Sequence, residues 1–339
     1  MDSLTQIILG AACGEVALGK KIGNKALLIG ALGGTIPDLD VFVGRVIFNN
    51  EIDIMAFHRG FMHSFLFALM GAFVFGWLFY KIYDRGKRKN ITCNKDWYWL
   101  FLFAFITHSL LDCFTPYGTQ LFSPFSNYRV AFNNIAVADP AYTLPFLISL
   151  IVLMFFKRNT SQRKFWLKTG VGISTCYLIC TLINKAYITS VFSKSLKENN
   201  IAFLRFQTQP TILNNILWYG IAETEDEYFV SFYSLFDSST RPQEWHLISK
   251  NHNLVSQVNS DIQTLSWFSN GYYNLTSQSS NTFRYNDLRY PSFDSERPEN
   301  SVFSFSIQQE DERYDILPAN RVPPSTKDLA FFWRRIKGK

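Results

Sequence analysis

An apolar run over residues 61–83, opened by His58-Arg59-Gly60-Phe61-Met62-His63-Ser64, constrains this chain more than any other feature. At about 1.5 Å per residue it is long enough to cross the roughly 30 Å hydrocarbon core of a bilayer. Ionisable side chains at the mouth of such a span cost free energy unless they find partners, so the two histidines and the arginine mark a functional site. Their partners have to be sought on the same side of the membrane.

Further apolar runs lie at 4–19, 26–48, 97–114, 141–156 and 166–188. The second is broken by Pro37-Asp38-Leu39-Asp40, and a broken helix at membrane depth is tolerated only where the freed backbone lines a cavity or is covered by protein. Residues 1–190 are therefore expected to form an α-helical integral membrane domain of about six spans. Beyond them, Tyr, Phe, Val and Trp alternate with polar residues at period two over 216–221, 228–236, 265–275 and 301–307, separated by turn clusters such as Glu225-Asp226-Glu227 and Ser238-Ser239-Thr240. That pattern predicts a mainly antiparallel β extramembrane domain over 191–339. The tail 329–339 is aromatic and basic, which suits either a helix lying on a membrane surface or a terminal helix closing the β domain.

The charge follows the same division. Of a formal +6 over 339 residues, positions 1–190 hold 18 Lys and Arg against 10 Asp and Glu, a balance of +8, which leaves −2 for the remainder. The excess lies in the connections after the first, third and fifth runs, for example Lys20, Lys21, Arg85, Lys87, Arg88, Lys157 and Arg158. Basic connections stay in the cytoplasm, so the expected orientation in a bacterial inner (plasma) membrane puts both termini on the periplasmic or extracellular side. No nucleic-acid partner is expected. Four of the five cysteines sit in apolar segments and none follows residue 190, which excludes a disulfide framework in the β domain; no CxxC metal pair exists.

With this orientation Asp38, Asp40, His58, His63, His108 and Asp112 fall in the outer half of the helical domain and are candidate metal ligands. His108 and Asp112, four apart, share a helix face. Imidazole and carboxylate without thiolate point to a divalent metal, zinc first, with manganese and iron as alternatives. An Asp at mid-span costs about 2.5 to 3.5 kcal/mol, and a bound zinc contributes on the order of 10 to 16 kcal/mol, enough to offset several such penalties. Gln6, Glu15 and Asp139 are additional candidates. Asp40 and Arg59 carry the catalytic reading: a carboxylate left uncoordinated acts as general base, and Arg59 clamps a phosphate or carboxylate oxygen. No organic cofactor is expected.

Met1-Asp-Ser-Leu-Thr-Gln6, Pro37-Asp-Leu-Asp40, His58-Arg-Gly-Phe-Met-His63-Ser64, His108-Ser-Leu-Leu-Asp112 and Thr115-Pro-Tyr-Gly-Thr119 together resemble the YdjM-like membrane-bound metal-dependent hydrolases, over roughly residues 1–150. The resemblance implies an inner-membrane protein, LexA-regulated in some members, with a metal-dependent hydrolase activity. Many members carry His where this chain has Gln6, and Thr where it has Met62. The expected function is hydrolysis of an ester or phosphoester of a membrane lipid or lipid-linked substrate by metal-activated water. Two alternatives are a metal-ion or proton-coupled transporter, since broken helices and midplane acids also describe cation pathways, and a membrane-anchored β sensor or assembly domain. The β domain is expected to cover the site or select substrate.

Overall fold

Small residues set the packing of the first helices. In the computed structural model, α1 (Ser3–Ile22) begins at Asp2, whose carboxylate accepts the Thr5 N–H, and turns at Gly23 into α2 (Asn24–Thr35). Gly10 and Gly14 face Gly30 and Gly34 so closely that a Cβ on Gly14 would stand 2.0 Å from the Ala26 carbonyl oxygen, and one on Gly30 2.2 Å from that of Gly10. Two small-xxx-small seams meet here, the arrangement by which helices pack where lipid removes the hydrophobic drive. The structure describes residues 1–242, 244–292, 299, 301–318 and 325–339.

After α2 the backbone makes a short 3₁₀ turn, Pro37–Leu39, and resumes as α3 (Asp40–Ile47), bent by 40°. Then come α4 (Glu51–Phe57), a 3₁₀ turn at Phe61–His63, α5 (Phe65–Tyr83), α6 (Asn94–Asp112), α7 (Pro140–Met154) and α8 (Ser161–Glu198). Helix α5 is inside out by the standards of a water-soluble protein. Ala68, Gly71, Ala72 and Gly76 are buried, while Leu69, Met70, Phe73, Val74 and Trp77 are exposed. Large apolar residues outward and small ones inward make a lipid-facing helix.

About six spans were expected. Among the described residues, α5 and α8 are each long and apolar enough to cross a membrane, and the bent α2–α3 pair makes a third if it is one span. Helix α7 is apolar but has 15 residues. Helices α1 and α6 reach 20 and 19 residues, but Glu15, Lys20 and Lys21 in one and Asp96, His108 and Asp112 in the other dilute their apolar character.

Two compact units result, one of Met1–Gly44 with Phe57–Leu182, the other of Arg45–Ala56 with Ile183–Lys339. In the second, β1 (Arg205–Pro210), β2 (Leu217–Glu223), β3 (Glu227–Ser234) and β4 (His246–Ser249) form one antiparallel meander. Helix α9 (Ser260–Phe268) follows, then β5 (Tyr273–Ser277), β6 (Thr282–Asp287), β7 (Ser304–Glu310) and β8 (Arg313–Ile316) form another, and α10 (Thr326–Ile336) ends the chain. The stretch 265–275, expected as strand, is instead the end of α9 and the start of β5. Asn259 caps the helix by accepting the Asp261 and Ile262 N–H groups, and Ile262, Leu265 and Phe268 bury one face at a spacing of three. Stacked rings of His252, Tyr273, Tyr285 and Phe305, with centroids 4.0, 5.0 and 5.3 Å apart in turn, support the second sheet. Ile52 of α4 is fully buried in the same core, Asn50 donates to the Tyr314 carbonyl at 2.9 Å, and Arg313 bridges Asp53 and Asp261.

A candidate metal centre

The break in the second apolar run carries Asp38 on its 3₁₀ turn and Asp40 at the start of α3. The turn before α5 carries His63, and the last two turns of α6 carry His108 and Asp112. One donor atom from each of Asp38, His63, His108 and Asp112 lies within 4.8 Å of every other. The two Nε2 atoms are 3.1 Å apart. Asp38 Oδ1 is 3.3 and 3.5 Å from them, and Asp112 Oδ2 is 3.5 and 3.6 Å away.

The second ring nitrogens have partners of their own. His108 Nδ1 lies 2.8 Å from the Gly34 carbonyl oxygen, which can only accept, so Nδ1 carries the hydrogen. His63 Nδ1 lies 3.1 Å from Asp40 Oδ2 and its Nε2 3.3 Å from Asp38 Oδ1, so each of its ring nitrogens faces a carboxylate. His108 Nε2 therefore presents a lone pair toward His63 Nε2 and toward two carboxylate oxygens. Acceptors that converge in a buried pocket need positive charge among them, which a bound cation would supply. Donors at the roughly 2.0 to 2.2 Å typical of tetrahedral zinc stand about 3.3 to 3.6 Å from one another. The donor set and its spacing fit such an ion.

Around this group lies a supporting layer. Asp40 is fully buried; its Oδ1 meets His58 Nδ1 at 2.7 Å, and its Oδ2 accepts the Arg59 main-chain N–H at 2.8 Å besides facing His63. Arg59 sits in the left-handed region, φ 59°, a conformation costly for a non-glycine residue that turns its amide toward Asp40. Its Nη1 donates to Thr115 at 3.1 Å, its Nε is 3.2 Å from Asp112 Oδ2, and its guanidinium stacks over Tyr117. Burial holds the His58 imidazole below its ordinary pKa, against the pull of Asp40. His58 and Asp40 thus lie outside the four-donor group.

Gln6 donates to Asp112 Oδ1 at 2.9 Å and to the His108 carbonyl at 3.2 Å. The Met1 amino nitrogen also contacts Asp112 Oδ1, a neighbour the residue motifs did not suggest. Glu15 is elsewhere, held at both oxygens by Arg163 at 2.7 Å. Asp139 caps α7 at Ala141 and accepts from the Tyr177 hydroxyl at 2.8 Å. The basic connections gather at the Glu15 end: Lys21 pairs with Asp96 at 2.5 Å, and Arg158 donates to the Lys21 carbonyl. From Gln6 to Lys21 is about 22 Å of helix, so the donor group and the basic cluster occupy opposite ends of α1.

The lipid-facing helices and the buried His–Asp group are accompanied by a family-model match: residues 1–188 match the YdjM inner membrane protein. The chain belongs to the YdjM family. All four donors fall inside the matched segment. Among curated proteins, YfhP of Bacillus subtilis, itself described as uncharacterized, is 30% identical over 159 residues, 45% of this chain and 46% of its own length. The chain thus spans less than half the length of that relative. No solved structure matches.

Proposed function

We propose that this YdjM family member is a membrane-bound, metal-dependent hydrolase acting on an ester or phosphoester of a lipid or lipid-linked substrate. The observation that carries the reading is the pair of Nε2 atoms, 3.1 Å apart, beside two carboxylates in a buried pocket. A divalent ion, zinc first, would supply a water of lowered pKa and polarise the scissile bond. Asp38, His63, His108 and Asp112 would hold it. Asp40 orients His63 and His58 rather than acting as the base, since both its oxygens are engaged. His58, with Nδ1 held by Asp40, offers Nε2 as proton acceptor. Its side chain is 22% exposed and that of Asp38 25%, so substrate approaches on their side. Arg59, stacked on Tyr117 in the pocket wall, anchors Asp112 and supplies positive charge for a phosphoryl oxygen.

Elemental analysis of the purified full chain tests the proposal, read beside release of phosphate or headgroup from membrane lipid. About one divalent ion per chain is expected, with both metal and hydrolysis falling at least 10 to 100-fold in His63→Ala and His108→Ala. Wild-type metal content in both variants would leave the pair as interhelical hydrogen-bonding groups and remove the hydrolase reading. The segregation of basic residues further supports a donor group on the periplasmic or extracellular side. A topology reporter inserted at Lys89 should then be active only in the cytoplasm and one after Lys339 only outside. The reverse pattern would place the pocket in the cytoplasm.

A further inference from the structure

Helix α10 suits either a membrane-surface element or a lid on the β unit, and its two faces differ. Phe331, Phe332, Arg335 and Ile336 are half-buried on one side. There Arg335 makes a two-pronged pair with Asp237 at 3.0 and 3.1 Å, the Ile336 carbonyl accepts from Ser234 at 2.7 Å, and Gly338, φ 71°, rests against the Phe236 backbone. One turn apart on the other side stand Leu329 and Trp333, 53% and 58% exposed. Lys337 lies 4.9 Å from the Trp333 ring centroid, and Arg334 adjoins it. Leu235 and Phe236, in the loop against which Gly338 rests, are exposed as well.

We infer that α10 docks on the surface of the bilayer, with Leu329 and Trp333 in the interface and Lys327, Arg334 and Lys337 toward anionic headgroups. Between Lys327 and Lys339 the tail carries five basic residues, Lys327, Arg334, Arg335, Lys337 and Lys339, against one acid, Asp328, so the face is complementary to an anionic surface. Indole at the apolar–polar boundary, with cationic side chains reaching outward beside it, is the composition of an interfacial helix. The bilayer is the partner that the chain's own lipid-facing helices bring. A second copy of the chain has no comparable support, since a basic face repels its own image.

The full chain, reconstituted in phosphatidylcholine vesicles with or without phosphatidylglycerol, tests this through Trp333. Subtracting the emission of Trp333→Phe from wild type isolates one indole among eight. In vesicles containing phosphatidylglycerol that component should be blue-shifted, protected from iodide and quenched at least about two-fold by brominated acyl chains, as for an indole at the headgroup boundary. Arg334→Gln with Lys337→Gln should reduce the bromolipid quenching, as should removal of phosphatidylglycerol. A red-shifted, iodide-accessible component that brominated lipid leaves unchanged would overturn the inference. So would protection that depends on protein concentration, which would assign the face to a second copy, or quenching indifferent to anionic lipid, which would remove its charge basis.

Discussion

Both oxygens of Asp40 are engaged, one by His58 and the other by the Arg59 amide and the His63 ring. Replacing it with Asn keeps the size but loses the charge that faces His63 Nδ1 at 3.1 Å. Metal affinity of Asp40→Asn should fall about 10 to 100-fold without losing a donor, the usual cost of disturbing a ligand's support. Asp38→Ala removes a donor and should cost at least as much; metal titration of the two variants measures the difference, and an Asp40→Asn affinity equal to wild type would remove its orienting role. All four donors stand in motifs that the sequence singles out, and the i,i+4 spacing of His108 and Asp112 already puts them on one face. The division of labour was not legible. A main-chain carbonyl such as that of Gly34, which sets the His108 tautomer, carries no residue-type signal, and the left-handed turn at Arg59 hides behind a residue that seldom adopts it.

Helices α1 and α2 connect packing to chemistry. Gly34 lies against the Gln6 carbonyl, and these same two residues contact the α6 residues of the centre: Gly34 through His108, Gln6 through Asp112. The α1–α2 seam thus touches two of the α6 donors. Gly30→Leu would force a side chain where even a Cβ stands 2.2 Å from the Gly10 carbonyl oxygen. Overpacking of this kind typically costs about 1 to 3 kcal/mol or more. Lower thermal stability in detergent and weaker metal binding are expected together, and retention of wild-type affinity would show that the seam and the centre are independent. The spacing of Gly10 and Gly14 and of Gly30 and Gly34 was in the sequence to be read. Hydropathy, by contrast, marked six runs where, among the described residues, two helices and one bent pair meet the requirements of length and composition, because it registers the apolar core of a short or polar-interrupted helix as readily as a lipid-facing surface. Period-two alternation likewise misread 265–275, where a side-chain cap at Asn259 and a three-residue apolar spacing produce a helix.

At the scale of the whole molecule, the change from apolar runs to alternating strands near residue 190 was legible, but one exchange between the two parts was not. Residues 45–56, from within the apolar N-terminal part, belong to the unit otherwise made of 183–339. Ile52 is fully buried in the core of that unit, and Asn50 and Asp53 are bonded to the β8 strand. This segment lies between Asp40 and His58 in the chain, the partners in the 2.7 Å contact beside the candidate metal centre. The β unit provides none of the four donors, and it includes residues 45–56, the stretch of chain between the two members of the supporting pair. A chain ending at Asn199 leaves Ile52 without its neighbours. Its metal affinity should drop by about as much as in Asp40→Asn, some 10 to 100-fold, although every donor is retained. In the full chain, Ile52→Ala should cost about 2 to 5 kcal/mol of stability in the β unit, the range for a fully buried isoleucine. Its metal affinity should move in the same direction as that of the truncated chain. If the truncated chain binds metal with unchanged affinity, the Asp40–His58 pair holds itself in place, and the packing of residues 45–56 serves only the β unit.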